Sequence, residues 1–321
     1  MIGRFLVGLL LERGAKVRVA SLDASYPDSR VEFMRGDLTR FDQCVSACSG
    51  MEAVFHLAGI KGSPLMTKER PASIFVPTLL FNTSMMEAAR QQGVRHYLYT
   101  STIGVYGPAQ VFHEDDVWRT FPSEHDRFAG WAKRMGELQA EAYRIEYGWT
   151  GVSIVRPANV YGPFDNFDPR NAMVIPSLIR RAMDGEDPLV VWGDGSPVRD
   201  FIHARDVARG MLLVMERNPG KPVNLGSGSG VSVRRLVELI VERLPRKPEV
   251  VWDDSKPAGD RVRLMDVSRA KALGFEPETG IEQGIAEVMD WYSQNRGEVA
   301  GRYNVFTAGQ PVAGGRSPGR E

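Results

Sequence analysis

The stretch AVFHLAG, residues 53–59, is an unbroken apolar run that ends in small residues. A second run of this kind, HYLYTST (96–102), follows it after a helical pattern over 72–92. Strands that are apolar on both faces and alternate with helices are typical of a parallel sheet covered by helices on each side. The stretch therefore predicts an α/β fold built on a doubly wound parallel sheet.

The alternation continues on both sides of this stretch. Before it the sequence predicts helices over 3–13 and 40–48 and strands over 16–21 and 31–35. After it we expect a helix over 126–147, a strand over 152–163, helices over 173–184, 204–217, 232–243 and 281–295, and short strands between them. Three parts follow: a doubly wound domain over 1–165, a smaller α/β domain over 166–296 interleaved with the first, and a mobile, Gly-rich tail over 297–321.

The N-terminus departs from the usual start of a Rossmann-like doubly wound fold, which is a strand, a glycine-rich turn and a helix. This chain starts at the helix, and Ile2-Gly3 reads as the end of such a turn. Loss of a central strand would expose two strand edges and the phosphate site. We expect that the start lies at an internal Met and that about ten to fifteen residues belong upstream. Peptide mapping of the native protein checks this.

Composition excludes several classes of function. Lys plus Arg and Asp plus Glu both number 40, and no basic stripe indicates nucleic acid. No apolar run approaches the roughly 20 residues of a membrane span. The two cysteines, Cys44 and Cys48, have no second pair with which to form a zinc site, so no metal is expected. The sequence predicts a cytoplasmic protein with reduced thiols.

Seven motifs occur in one order along residues 2–295: IG (2–3), GDL (36–38), HLAG (56–59), TSTIGVYG (100–107), Lys133 with GE (136–137), RPANVYGP (156–163) and RDFIHARDVA (199–208). In these the chain resembles the extended short-chain dehydrogenase/reductases, the NAD-dependent epimerase/dehydratase family. Residues 159–181 and 190–208 are most similar to GDP-fucose synthases and their relatives. The resemblance implies that residues 1–165 form the dinucleotide-binding domain and residues 166–296 the substrate domain. It also implies a nucleoside-diphosphate sugar as substrate, in particular a GDP-sugar, and a homodimer.

The resemblance also implies a cofactor site for NAD or NADP. Asp37 follows a strand and suits the adenine amino group, although it also suits a helix cap. Asp23 lies two residues beyond Ser21, where NAD-dependent proteins place an acid for the ribose, and favours NAD slightly. The predicted cofactor-binding residues are Gly3, Asp23, Asp37, Leu38, Leu57, Ala58, Gly59, Lys133, Pro157 and Val160.

The predicted catalytic residues are Thr102 and Lys133. In the family a tyrosine four residues before the lysine is acidified by the ammonium and acts as acid or base, but here that position holds Ala129. Lys133 can still hold the cofactor ribose. Another side chain could act as the acid or base in place of the tyrosine, and the sequence leaves its identity open. Glu124 and His125 are the nearer candidates, and His113 and Glu114 are less favoured.

On the substrate side Asn159, Arg199 and Arg261 are the predicted binding residues, because guanidinium groups bind phosphate through paired hydrogen bonds. Ile103-Gly104 and Met173 replace the cysteine and histidine that GDP-fucose synthases use for epimerisation. Two functions therefore stay open. The chain is either an NAD(P)-dependent nucleotide-sugar enzyme working by hydride transfer or a catalytically silent protein that binds the same ligands as a partner or regulator.

Overall fold

The computed structural model describes residues 1–60, 64–168, 171–256 and 260–299. Up to residue 147 the elements are α1 (Ile2–Glu12), β1 (Arg18–Ser21), β2 (Glu32–Arg35), α2 (Phe41–Cys48), β3 (Ala53–His56), α3 (Pro64–Glu69), α4 (Pro71–Gln91), β4 (His96–Thr100), β5 (Val111–Phe112) and α5 (Arg127–Tyr147). The remaining elements are β6 (Val152–Pro157), β7 (Asn159–Tyr161), α6 (Val174–Met183), β8 (Leu189–Trp192), β9 (Val198–His203), α7 (Ala204–Arg217), β10 (Val223–Leu225), β11 (Gly230–Ser232), α8 (Val233–Glu242), β12 (Val250–Asp253), β13 (Val262–Met265), α9 (Ser268–Ala272) and α10 (Ile281–Val299).

Parallel pairing places the N-terminal strands in two sheets. β10, β6, β4 and β3 form one parallel sheet in that order, and β1 pairs with β2 in another. Within the described ranges neither β1 nor β3 has a strand on its other edge, and both strands line the same cavity. The predicted α/β fold with a parallel sheet is confirmed.

The core lies on both faces of the four-stranded sheet, and β4 shows this most clearly. Tyr97 and Tyr99 pack in one buried cluster with residues of α2, α4 and α5. Leu98, between them, packs instead with residues of α7. Because successive side chains of a strand point to opposite faces, helices cover both faces of the sheet. This arrangement is the doubly wound one that the apolar runs predicted.

A separate five-stranded sheet forms around β9, which pairs with β7, β11 and β13. The sequence predicted a single strand over 152–163, but the chain breaks there into β6 and β7. Pro157 ends β6, and a proline has no backbone N–H with which to continue a ladder. The break carries the chain from β4 to β9 and places Asn159 at the junction.

The C-terminal helix is longer than predicted. α10 extends through Val299, with a kink at Asn295, and so overlaps the start of the predicted tail 297–321. The rest of that tail, from residue 300, lies outside the described residues. Across the described part of the chain, no helix has both the length and the apolar character needed to cross a bilayer.

Gly136 is required for the contact between α5 and β4. A Cβ atom at this position would lie 2.3 Å from the buried Tyr99 ring. We expect Gly136→Ala to destabilise the protein by about 1–3 kcal/mol, because the ring or the helix must shift. Gly8→Ala in α1 is the matched control: no atom lies within 4 Å of its Cβ position, so it should stabilise the protein by about 1 kcal/mol. Equal urea midpoints for the two variants would contradict this packing.

Candidate active site

A cavity of about 3330 Å³ runs along the carboxyl ends of β3, β4 and β6 and continues into the gap between β1 and β3. In open α/β folds ligands bind outside the carboxyl ends of the parallel strands. The cavity exceeds the usual size of a small-molecule site, about 300–1,000 Å³, because it includes the gap between the two sheets.

Lys133 lies on the floor of this cavity and is only 8% exposed. Its Nζ atom donates to the backbone oxygen of Thr100 at 2.8 Å, to Asn82 Oδ1 at 3.4 Å and to the backbone oxygen of Ala58 at 3.5 Å. These three acceptors belong to β4, α4 and the segment after β3. The lysine amine therefore joins the elements that form the cavity floor and cannot be a solvated surface group.

A buried polar network surrounds this amine. His56 Nε2 lies 2.9 Å from Asn82 Oδ1, the atom that also accepts from Lys133. Burial, with the nearby Lys133, lowers the pKa of His56 to about 3, so the imidazole is neutral and acts as a core group, as the sequence favoured. Three buried polar atoms near by have no hydrogen-bond partner among the described residues: Asn82 Nδ2, Thr100 Oγ1 and Ser101 Oγ. Such orphaned atoms fit a ligand that brings its own hydroxyl groups.

Thr102 lines the same cavity as Lys133. It follows β4, and its Oγ1 accepts the backbone N–H of Gly104 at 3.2 Å, which caps the short helical turn Ile103–Val105. The hydroxyl hydrogen stays available for another acceptor. Ala129 also lines the cavity and presents only a methyl group where a phenol would stand. The structure thus brings together the two predicted catalytic residues without a tyrosine at position 129.

The predicted cofactor residues all line the cavity: Gly3, Asp23, Asp37, Leu38, Leu57, Ala58, Gly59, Lys133, Pro157 and Val160. Asp23 is exposed at the end of β1, and its Oδ2 accepts from Ser21 Oγ at 2.8 Å. Asp37 Oδ1 accepts from the N–H and the hydroxyl of Thr39 at 2.9 and 2.7 Å. Asp37 therefore stabilises a local turn and borders the cavity, but it does not cap α2, whose N-cap residue is Arg40.

Two of the three predicted substrate-binding residues line the cavity, and one does not. Asn159 and Arg199 line the cavity, and Asn159 Nδ2 donates to the backbone oxygen of Asp200 at 2.8 Å. Arg261 does not line it: this residue precedes β13 and is exposed. Arg263 does, because the register of β13 and β9 aligns it with Arg199. Of the two arginines in GDRVR, the expected position is therefore corrected to Arg263.

Two of the four candidate acid or base residues line the cavity, and two do not. Glu124 and His125 line the cavity, whereas His113 and Glu114 do not. His113 is an exposed residue 3.6 Å from Asp266. Glu114 is buried, and its Oε1 accepts the backbone N–H of Asn224, so its role is structural. Sequence reasoning passed over the next residue, Asp126, although its position seven residues before Lys133 places it on the same face of α5 two turns earlier.

The buried amine of Lys133 should make stability depend on pH. Burial lowers its pKa to about 7, against an unfolded value of about 10.4, with Glu137 opposing the shift. The unfolded chain therefore binds more protons between pH 7 and 10, and the free energy of unfolding should rise with pH in this window. Relative to Lys133→Met, the wild type should gain about 2 kcal/mol from pH 7 to 9. Urea unfolding at both pH values measures this, and parallel pH curves for the two proteins would contradict it.

Comparison with known proteins places these motifs in a family. The model described as "NAD dependent epimerase/dehydratase family" matches residues 1–226. GDP-L-fucose synthase 1 of Arabidopsis thaliana is 34% identical over 232 residues, which cover 70% of this chain and 72% of the relative. A dTDP-4-dehydro-6-deoxy-D-allose reductase of Streptomyces is 30% identical over 306 residues, with 91% and 93% covered.

Solved structures agree over nearly the whole chain. MoeE5 in complex with UDP-glucose and NAD has a TM-score of 0.79 at 30% identity, covering 92% of this chain and 96% of its own. UDP-glucose 4-epimerase of Thermotoga maritima, solved with UDP-glucose, has a TM-score of 0.77 at 26% identity, with the same coverage.

Proposed function

Because this chain belongs to the NAD dependent epimerase/dehydratase family, we propose that it is an NAD(P)-dependent nucleotide-sugar enzyme that acts by hydride transfer at a sugar carbon. We propose NAD rather than NADP as the cofactor, because the Asp23 carboxylate stands at the cavity edge after β1. A GDP-sugar is the proposed substrate, in keeping with the similarity to GDP-L-fucose synthase 1.

The observation that carries this proposal is the presence of the Lys133 amine and Thr102 in one cavity at the carboxyl rim of the sheet. Lys133 would donate to ribose hydroxyls of a nicotinamide cofactor, and the adjacent Asn82 Nδ2, which has no hydrogen-bond partner among the described residues, could do the same. Leu57, Ala58 and Gly59 would allow the cofactor to approach the backbone closely. When bound, the cofactor accepts or supplies the hydride, and the Thr102 hydroxyl would hydrogen-bond the sugar oxygen whose charge changes.

The substrate side supports an anionic ligand. Arg199 and Arg263 lie in register on neighbouring strands and both line the cavity. Their pairing makes the two like charges neighbours, and burial, together with the charge of Arg263, lowers the pKa of Arg199. A diphosphate would offset these like charges and accept paired hydrogen bonds. Asn159, at the start of β7, would orient the sugar or the diphosphate.

Ala129 favours a second candidate function. A chain that kept the binding residues and lost only the acid–base phenol would hold a dinucleotide or nucleotide sugar without turning it over. Ile103 and Met173 both line the cavity and cannot transfer protons, which agrees with this alternative. Such a protein would act as a partner or a regulator.

One experiment separates the two functions. The protein is mixed with NAD or NADP and with GDP-L-fucose or UDP-glucose, and both the thermal shift and the nicotinamide absorbance are followed. We expect a thermal shift with each ligand class and a change in absorbance with at least one sugar. A shift without any change in absorbance would support the silent protein.

Ala129→Tyr provides a matched test of the same question. In a site that has been rebuilt around another acid or base, the variant should gain less than about tenfold in turnover. In a site that has only lost its tyrosine, restoring the phenol should raise turnover by about 100-fold or more. The initial rate of absorbance change with the same sugars measures the difference.

We further propose the division into residues 1–165 and 166–296, and a homodimer that pairs α4 and α5 of two copies. Four large apolar side chains on these helices support the homodimer by their exposure: Val76, Leu80, Leu138 and Ile145. Sedimentation at micromolar concentration tests it, and a monomer that persists there would contradict it.

A further inference from the structure

Asp126 has an unusual environment for the residue at the start of a helix. It occupies the N-cap position of α5, where an aspartate normally accepts a backbone N–H of the first turn, yet it makes no such bond. Its Oδ2 instead accepts from Arg263 Nη2 at 2.8 Å and from Ser123 Oγ at 3.3 Å. The carboxylate therefore bonds to Arg263 and not to the helix N-terminus, and Asp126 lines the cavity.

The same carboxylate packs against the turn that follows the predicted catalytic threonine. A Cβ atom at Gly104 would lie 3.2 Å from Asp126 Cγ, so the carboxylate packs on the turn that Thr102 caps. Asp126 also precedes Lys133 by two helical turns and Ala129 by one. It is therefore a proton-accepting group on the face of α5 from which the tyrosine is absent.

The partner of Asp126 is a group that a substrate would claim. Arg263 is aligned with Arg199, and Arg199 donates only to the backbone oxygen of Val198 within the part of the chain that the structure describes. Asp260 is 3.8 Å from Arg263 Nε, too far for a hydrogen bond. The two guanidinium groups therefore have Asp126 and Asp260 as nearby carboxylates, and only Asp126 is hydrogen-bonded to one of them. A diphosphate would compete with Asp126 for Arg263.

We propose that Asp126 is the acid–base residue of this site in place of the absent tyrosine, and that the anionic group of the substrate releases it from Arg263. The inference rests on the proposed function. In the oxidative direction a bound nicotinamide cofactor would supply the hydride acceptor for the sugar carbon, and the Asp126 carboxylate would take the hydroxyl proton of that carbon as the C=O bond forms. In the reductive direction Asp126 returns the proton to the carbonyl oxygen.

The test compares Asp126→Asn and Asp126→Ala with the wild type. Asp115→Asn is the control, because Asp115 forms an exposed ion pair with Arg269 at 3.0 Å and does not line the cavity. NAD and GDP binding are measured by calorimetry, and hydride transfer with GDP-L-fucose and UDP-glucose is measured by absorbance. Asp126→Asn should leave NAD affinity unchanged, tighten GDP binding by about 2- to 5-fold and slow hydride transfer by about 100-fold or more.

Formate separates catalysis from mere support of the fold. It should restore part of the hydride-transfer rate to Asp126→Ala and add nothing to Asp126→Asn, because only the alanine variant leaves room for a small carboxylate. The inference alone is overturned if hydride transfer persists at the wild-type rate in Asp126→Asn. If the wild type binds both ligands without turnover, the proposed enzyme gives way to the silent protein, and the inference falls with it. If the wild type binds neither NAD nor GDP, the proposed function falls, and the inference falls with it.

Discussion

Lys133→Met should abolish measurable hydride transfer and weaken NAD binding by at least about 100-fold. The amine makes three hydrogen bonds from one buried position, and it is the group placed to donate to the ribose. At pH 6, below the pKa of the amine, Nζ is charged, and its two long hydrogen bonds, to Asn82 and Ala58, can be exchanged for bonds to the ribose. A hydrogen bond from a charged group contributes about 1.5–3 kcal/mol, so losing two of them to a ligand costs at least about 3 kcal/mol. Methionine retains the length and apolar character of the chain, so the cavity floor should remain packed.

Calorimetric titration with NAD and single-turnover absorbance measure the two effects of Lys133→Met. Lys271→Met is the control, because Lys271 is exposed on α9 and does not line the cavity. The Lys133 variant must also keep a cooperative unfolding transition, which separates loss of binding from loss of fold. Wild-type affinity for NAD in a folded Lys133→Met protein would exclude the proposed role of the amine.

Features that depend on local pattern could be predicted from the sequence. The parallel strands β3 and β4 are visible as apolar runs between helical periods, and both were predicted. Thr102 and Lys133 could be placed in one cavity because each follows or faces the carboxyl end of such a strand. The helix α5 was also predicted to within a residue, since Gly148, with φ of 63°, ends it in the usual left-handed conformation.

Features that depend on register or long-range pairing could not be predicted. Arg261 and Arg263 are indistinguishable in GDRVR until the pairing of β13 with β9 aligns one of them with Arg199. The role of Asp126 depends on an arginine 137 positions further along the chain. The break at Pro157 depends on the five-stranded sheet around β9, a strand that appeared in the sequence only as part of the motif RDFIHARDVA.

A buried ion pair between Glu137 and Arg156 fixes α5 to β6. Arg156 Nε and Nη2 donate to the two carboxylate oxygens of Glu137 at 2.9 and 2.6 Å, and the two side chains are 1% and 2% exposed. Arg156 Nη1 donates further to the Tyr106 hydroxyl at 3.1 Å and to the backbone oxygen of Glu114 at 2.8 Å. Glu137 is one turn beyond Lys133 on α5. By fixing α5 to β6, this network therefore fixes the position from which Lys133 extends into the cavity.

Glu137→Ala should therefore destabilise the protein by about 3–5 kcal/mol, because it leaves the Arg156 guanidinium buried without its counter-charge. Glu141→Ala, one turn further on α5 and exposed, should change stability by less than about 0.5 kcal/mol. The double variant Glu137→Leu with Arg156→Met should recover most of the loss, since removing both charges leaves no unpaired ion. Urea unfolding measures all three. If the double variant is no more stable than Glu137→Ala, the stability lost in Glu137→Ala comes from packing and not from the unpaired charge of Arg156.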